Sequence, residues 1–128
     1  MDDCIASKHR LAEGFSACRR AIAALGDETR AQIVLSLLEG AEGGLRACEI
    51  AESMHLSRTS VSHQLRVLAE AGLVGLRREG RLHYYYMSAN VPLWGALSAL
   101  FSDIYETVRL AEEEGYPSPC RAGGKEEG

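Results

Sequence analysis

No stretch of this 128-residue chain approaches the roughly 18 consecutive apolar residues that a membrane span requires. The opening, MDDCIASKHR, puts acid before base and lacks the apolar core of a secretory signal, so the expected compartment is the cytoplasm. Enzyme signatures are missing too: there is no glycine-rich phosphate loop, no HExxH pair and no nucleophile elbow. Ser62 and His63 are adjacent in a segment that reads as helix, where residues one apart do not face each other, so they make no catalytic pair. No internal repeat is visible. What remains is an ordinary globular composition, 46% hydrophobic and 25% charged, of a length that suits one domain.

The charge is unevenly spread. The chain carries −4 overall, yet between Ser57 and Ser88 five arginines (Arg58, Arg66, Arg77, Arg78, Arg81) face two glutamates (Glu70, Glu79). That island is +3 and leaves −7 on the rest. A basic island on an acidic molecule is a usable footprint for a nucleic-acid backbone, and the acidic remainder limits non-specific adhesion.

Periodicity predicts a mainly α fold of five helices with a small β-hairpin. Leu11, Phe15, Cys18, Ile22 and Leu25 form one helical stripe ending near Gly26. Asp27 is an N-cap for a second helix with Val34, Leu37 and Leu38 inward, closing at Gly40. Ala47, Ile50, Ala51 and Met54 mark a short third helix, His55–Leu56 a tight corner, and Ser57 the cap of a fourth helix reaching about Ala71. Two strands then flank REGR, and Asn90 with Pro92 opens a long last helix bearing Leu93, Leu97, Leu100, Phe101, Ile104, Val108 and Ala111. This divides the chain into an N-terminal arm (1–10), a winged helix-turn-helix domain (11–114) and a flexible C-terminal tail (115–128).

The fourth helix has two specialised sides. Val61, Leu65 and Leu68 gather on one; Thr59, Ser62, His63 and Arg66 gather on the other. Docking the apolar side on the third helix across a tight corner is helix-turn-helix geometry, and short hydroxyls, an imidazole and a guanidinium suit base edges and phosphates in a major groove. The expected DNA-binding set is Ser57, Arg58, Thr59, Ser60, Ser62, His63, Gln64 and Arg66, with Arg77, Arg78 and Arg81 of the hairpin on flanking phosphates or in the minor groove. The contending class is a winged domain used for protein contacts.

The segments ALGDETRAQIVLSLLEG and ACEIAESMHLSRTSVSHQLRVLAEAGLVGLRREGRLHYYYMS resemble the ArsR/SmtB family of small bacterial winged-helix repressors over roughly residues 22–88. The resemblance implies a homodimer, joined through its first and last helices, that sits on duplex DNA and leaves it when an effector binds. Interface candidates are Leu11, Phe15, Ile22, Leu97, Leu100, Phe101, Ile104 and Val108. The last helix supports this independently, since its apolar stripe exceeds what one small domain can cover. Two-fold symmetry implies a palindromic operator with reading helices about 34 Å apart.

Family members of this kind respond to soft metals or metalloids or to thiol oxidation, and some have no metal site. The arsenic-type Cys-x-Cys is represented here by Arg46, Ala47 and Cys48, so one thiol survives. The zinc-type Asp-x-His of the last helix reads Asp103, Ile104, Tyr105, with Tyr116 near another histidine's place, which excludes that site. A third arrangement known in the family joins arm cysteines to the third-helix cysteine of the other subunit: Cys4, Cys48 and either Cys18 or Cys120 would supply thiolates for As(III), Sb(III) or Cd/Zn, with His9 as a divalent alternative. Cys18 also reads as a packed small hydrophobe. The rival mechanism is a disulfide between Cys48 and Cys4 or Cys120. No organic cofactor is expected.

Overall fold

The computed structural model of the chain describes residues 2–115, with side chains from residue 6. Its elements are α1 (Asp2–Leu25), α2 (Glu28–Glu39), α3 (Ala47–Met54), α4 (Arg58–Glu70), β1 (Val74–Glu79), β2 (Leu82–Met87) and α5 (Val91–Glu113). The mainly α fold with one hairpin is as the sequence predicts. Residues 2–10, expected as an arm, are instead the first turns of α1, and most of the expected tail lies outside the described residues. The chain divides into two compact units, Arg19–Leu93 and Met1–Cys18 with Trp94–Gly128.

In the unit Arg19–Leu93, α2, α3 and the hairpin surround α4. Asp27 takes an extended conformation and its carboxylate accepts a hydrogen bond from the Arg30 backbone N–H at 3.1 Å, ending the chain's ambiguity about where α2 starts. Its inward residues are Ile33 and Leu37, not the expected Val34, Leu37 and Leu38: Val34 is half-buried and Leu38 is 66% exposed. The reason is angular. At 100° per residue Leu38 stands about 140° around the helix from Ile33, past the edge of the face that Ile33 and Leu37 share.

Glu49 reaches back to the N–H of Arg46 at 2.8 Å and closes the start of α3. The helix stops at His55, the one non-glycine residue at positive φ among the described residues (φ 59). That left-handed residue lets Leu56 donate its N–H to Ala51 O at 3.0 Å, which turns the chain tightly into α4. Ser57 Oγ then accepts from the Ser60 N–H at 3.0 Å. Val61, Leu65 and Leu68 of α4 are fully buried together with Ile33, Ile50 and Leu73. Each such side chain contributes on the order of 1.5–3 kcal/mol of burial.

The hairpin pairs Val74 with Met87 through Glu79 with Leu82, leaving Gly80 and Arg81 as a two-residue loop. Gly80 at φ +62, followed by a residue at negative φ, has the pattern of a type II′ turn, whose twist matches that of the strands. Sequence periodicity does not disclose a third participant. Leu45, in the α2–α3 loop, forms a bridge with Tyr85: Leu45 N donates to Tyr85 O at 2.9 Å and Tyr85 N to Leu45 O at 2.8 Å. Ser88 Oγ donates to Gly72 O at 2.7 Å and holds the far end of β2 to the end of α4.

In the second unit the early part of α1 runs antiparallel to α5, as Arg10 approaches Asp103 (3.7 Å) and Gly14 approaches Leu100. A Cβ on Gly14 would sit 3.1 Å from Leu100 Cδ1, so the missing side chain is what admits the leucine. The apolar stripe of α5 is about 100° wide, from Leu100 at one edge to Phe101 at the other. Leu97 and Leu100 are 4% and 3% exposed, so these two expected interface residues are already buried within the chain. Phe101, Tyr105 and Val108, on the other edge, remain exposed, as does Phe15 of α1. Leu11, Ile22 and Ile104 are half-buried.

Candidate nucleic-acid interface

Burying Val61, Leu65 and Leu68 sets the rotation of α4 about its own axis. Thr59, His63 and Arg66 are consequently exposed and Ser62 half-buried on the opposite side, with Arg58 exposed beside them. No acidic residue lies within α4 before Glu70, its last residue, so that side presents hydroxyls and positive charge without compensation.

The side chains of two expected members, Ser57 and Gln64, are otherwise engaged. Ser57 is spent on the cap, and Ser60 supplies the N–H that it caps. Gln64 lies toward the packed side, where its Oε1 accepts from Arg30 Nη1 at 2.7 Å, so it belongs to the scaffold and not to the open face. Arg30 Nε also donates to Ala24 O at 2.8 Å. One guanidinium thus joins the end of α1, the first turn of α2 and the middle of α4. Arg30 closes the LGDETR segment that carries part of the family resemblance, three residues after the Asp27 cap, although it is not among the expected site residues.

On the hairpin, Arg78 and Arg81 are exposed, Arg78 standing across from His83. Arg77 is held instead. Its Nη1 donates to Gly43 O at 2.7 Å, its Nε to Glu79 Oε2 at 3.1 Å, and its guanidinium carbon lies 4.8 Å from the centroid of the Tyr84 ring.

Cys18 is 2% exposed, which makes it a core residue and removes it from the candidate thiolates. Cys48, in the first turn of α3, is a half-buried free thiol. Cys4 falls within α1, and Cys120 and Tyr116 lie outside the described residues. Among the described residues no three His, Cys, Asp or Glu side chains converge as a metal site within one chain. Asp103 pairs with Arg10, and His9 stands 3.4 Å from Glu13 on an exposed helix face. No helix of the described residues is long and apolar enough to cross a membrane.

The model of a family described as bacterial regulatory protein, arsR family, matches residues 27–75, from the Asp27 cap through α4 into β1. Over 70 residues the chain is 40% identical to an arsenic resistance transcriptional regulator of Pseudomonas putida, covering 55% of this chain and 53% of that one. It therefore spans about half the length of that relative. Among solved structures, that of a possible transcriptional regulator for arsenical resistance has a TM-score of 0.57 and 32% identity, over 73% of this chain and 94% of that one. The solution structure of a homodimeric winged helix-turn-helix DNA-binding domain from Mycobacterium bovis, a possible ArsR-family regulator, has a TM-score of 0.53 and 30% identity, over 75% and 84% respectively. The family match runs from the Asp27 cap through the helix-turn-helix, the similar solved structures share the fold, and the chain belongs to the ArsR/SmtB family of winged helix-turn-helix transcriptional regulators.

Proposed function

We propose that the chain is a homodimeric repressor that reads duplex DNA with α4, clamps phosphates with the hairpin, and is released when a soft metal or metalloid binds cysteine thiolates. The observation that carries the first part is the open face of α4, where Thr59, Ser62, His63 and Arg66 project from a helix whose other side is fully packed. Short side chains let the helix backbone approach base edges, and Arg78 and Arg81 extend the positive surface along the hairpin. Exposed Phe15, Phe101, Tyr105 and Val108 supply an apolar surface for a second copy. The Mycobacterium bovis domain is homodimeric by its own description, which supports the same assembly here.

Fluorescence anisotropy on duplexes from the protein's own promoter region tests this reading. Replacing Arg78 and Arg81 with glutamine makes the salt dependence shallower, by about 0.9 in log K against log salt for each phosphate lost. Ser62→Ala or His63→Ala relaxes sequence preference instead, at roughly 1–3 kcal/mol per base contact. Indifference of the wild type to every such duplex returns the domain to the class of protein-interaction modules.

The effector reading rests on Cys48, the described thiol that is neither buried in the core nor remote from the DNA-reading helices. As(III) prefers three thiolates, and with Cys18 buried the set that remains is Cys48 with Cys4 and Cys120. The Pseudomonas putida relative is an arsenic resistance transcriptional regulator, which supports As(III) as the first effector to try, ahead of Sb(III), Cd and Zn. Release would follow from ligand binding favouring a dimer geometry that no longer matches successive grooves. Titrating the reduced protein on DNA with As(III), Cd2+, Zn2+ and a mild oxidant distinguishes the cases. As(III) displaces the wild type and not Cys48→Ser; displacement by the oxidant alone points to a disulfide switch, and an unaltered response in Cys48→Ser removes this thiol from the mechanism.

A further inference from the structure

In β1 the side chains of Arg77 and Arg78 point to opposite faces of the hairpin, and only that of Arg78 is free of the contacts described for its neighbour. Arg77 lies across from Tyr84 in the pairing register, so the ring its guanidinium covers belongs to the partner strand. Its bond to Gly43 O reaches 34 positions back along the chain, into the α2–α3 loop. Glu79, two residues on, balances its charge. Two residues beyond Gly43, Leu45 makes the paired backbone hydrogen bonds to Tyr85. Backbone bridge and guanidinium therefore tie the same loop to the same hairpin at two points, one on each strand.

We propose that Arg77 is a positioning residue that straps the hairpin to the α2–α3 loop and so sets where Arg78 and Arg81 stand, and that it makes no contact with DNA itself. The inference rests on the DNA-binding reading above for its consequence, but the strap is a property of the free protein. A guanidinium is suited to it because its rigid planar fork donates from Nε and Nη1 to two fixed acceptors while its face lies flat on an aromatic ring; an ammonium has donors too, but neither the fixed fork nor a flat face to stack. The same bond geometry explains why a charge-compensated arginine in the middle of a strand adds little to a phosphate clamp: its charge is met by Glu79, and its Nε and Nη1 donors are directed at Glu79 and at the Gly43 carbonyl.

Arg77→Lys keeps the charge and removes the fork, and Tyr84→Leu removes the ring with no change of charge. Both are made in the full chain, with circular dichroism as the check on folding. In the absence of DNA, amide exchange at Leu45 and Tyr85 is expected to quicken about tenfold in each variant while Leu65 keeps the wild-type rate. Unchanged exchange at those two amides overturns the strap. On the promoter duplex each variant is expected to bind about five- to tenfold more weakly, and that penalty shrinks to less than about twofold when added to Arg78→Gln/Arg81→Gln, because it acts through those two arginines. A penalty that persists undiminished in that background makes Arg77 a direct contact and overturns the inference. If the wild type binds no duplex, the DNA-binding reading fails while the exchange measurement still decides the strap.

Discussion

Replacing Leu65 with alanine is expected to destabilise the fold by about 2–5 kcal/mol, read as a lowered urea midpoint with an unchanged slope. Leu65 is fully buried at the centre of α4, the helix on which α2, α3 and β1 all pack. Removing its branched end loses the transfer energy of three carbons and leaves a void that helices anchored on three sides cannot close. Against a total stability of about 5–15 kcal/mol that is a large fraction. The matched control is Leu38→Ala, where the side chain is mostly exposed and the change should stay within about 0.5 kcal/mol. Equal effects at the two sites would mean that α4 is not the centre of the core.

Gly44→Ala is the second large effect, about 2–4 kcal/mol, and it comes from the backbone. Gly44 sits at φ +98, where a side chain is strained, and a Cβ there would stand 2.6 Å from the carbonyl oxygen of Tyr85 and 3.2 Å from its carbon. Neither atom can swing aside as a flexible side chain would. The loop must withdraw, and with it go the two Leu45–Tyr85 hydrogen bonds. Thermal unfolding of the variant should come about 8–16 °C lower, at roughly 4 °C per kcal/mol for a domain of this size. A melting temperature equal to wild type would show that the loop can move away from β2 without loss.

The features legible in the sequence are those written in neighbouring residues. The Asp27 and Ser57 caps, the turn at Gly80 and the buried row Val61, Leu65, Leu68 each depend on spacings of four residues or fewer, and the structure has them where the spacing puts them. Cys18 is buried, as its place in the α1 stripe suggests. What spacing does not carry is the partner of a long side chain. Arg30 with Gln64, and Arg77 with Gly43, each join residues 34 positions apart. Composition counts Arg77 with Arg78 and Arg81, because a charge tally cannot distinguish a guanidinium held against a carbonyl from one left in solvent. Gln64 lies at the border between the packed and open sides of α4, where spacing alone does not reveal its contact with Arg30. The width of an apolar stripe is equally silent about coverage: α5 shows one stripe, of which α1 takes the Leu100 edge and leaves the Phe101 edge.

The bridge at Leu45 also bears on the order in which the molecule assembles. The hairpin is closed by a two-residue loop and can form from its own strands, whereas the strap from Arg77 must capture a segment 34 positions upstream. Gathering that segment costs chain entropy that grows as about (3/2)RT ln n, so the expected order is hairpin first and loop second. The corresponding expectation is that this junction opens at lower denaturant than the packed centre of α4, read as earlier loss of amide protection at Leu45 and Tyr85 than at Leu65.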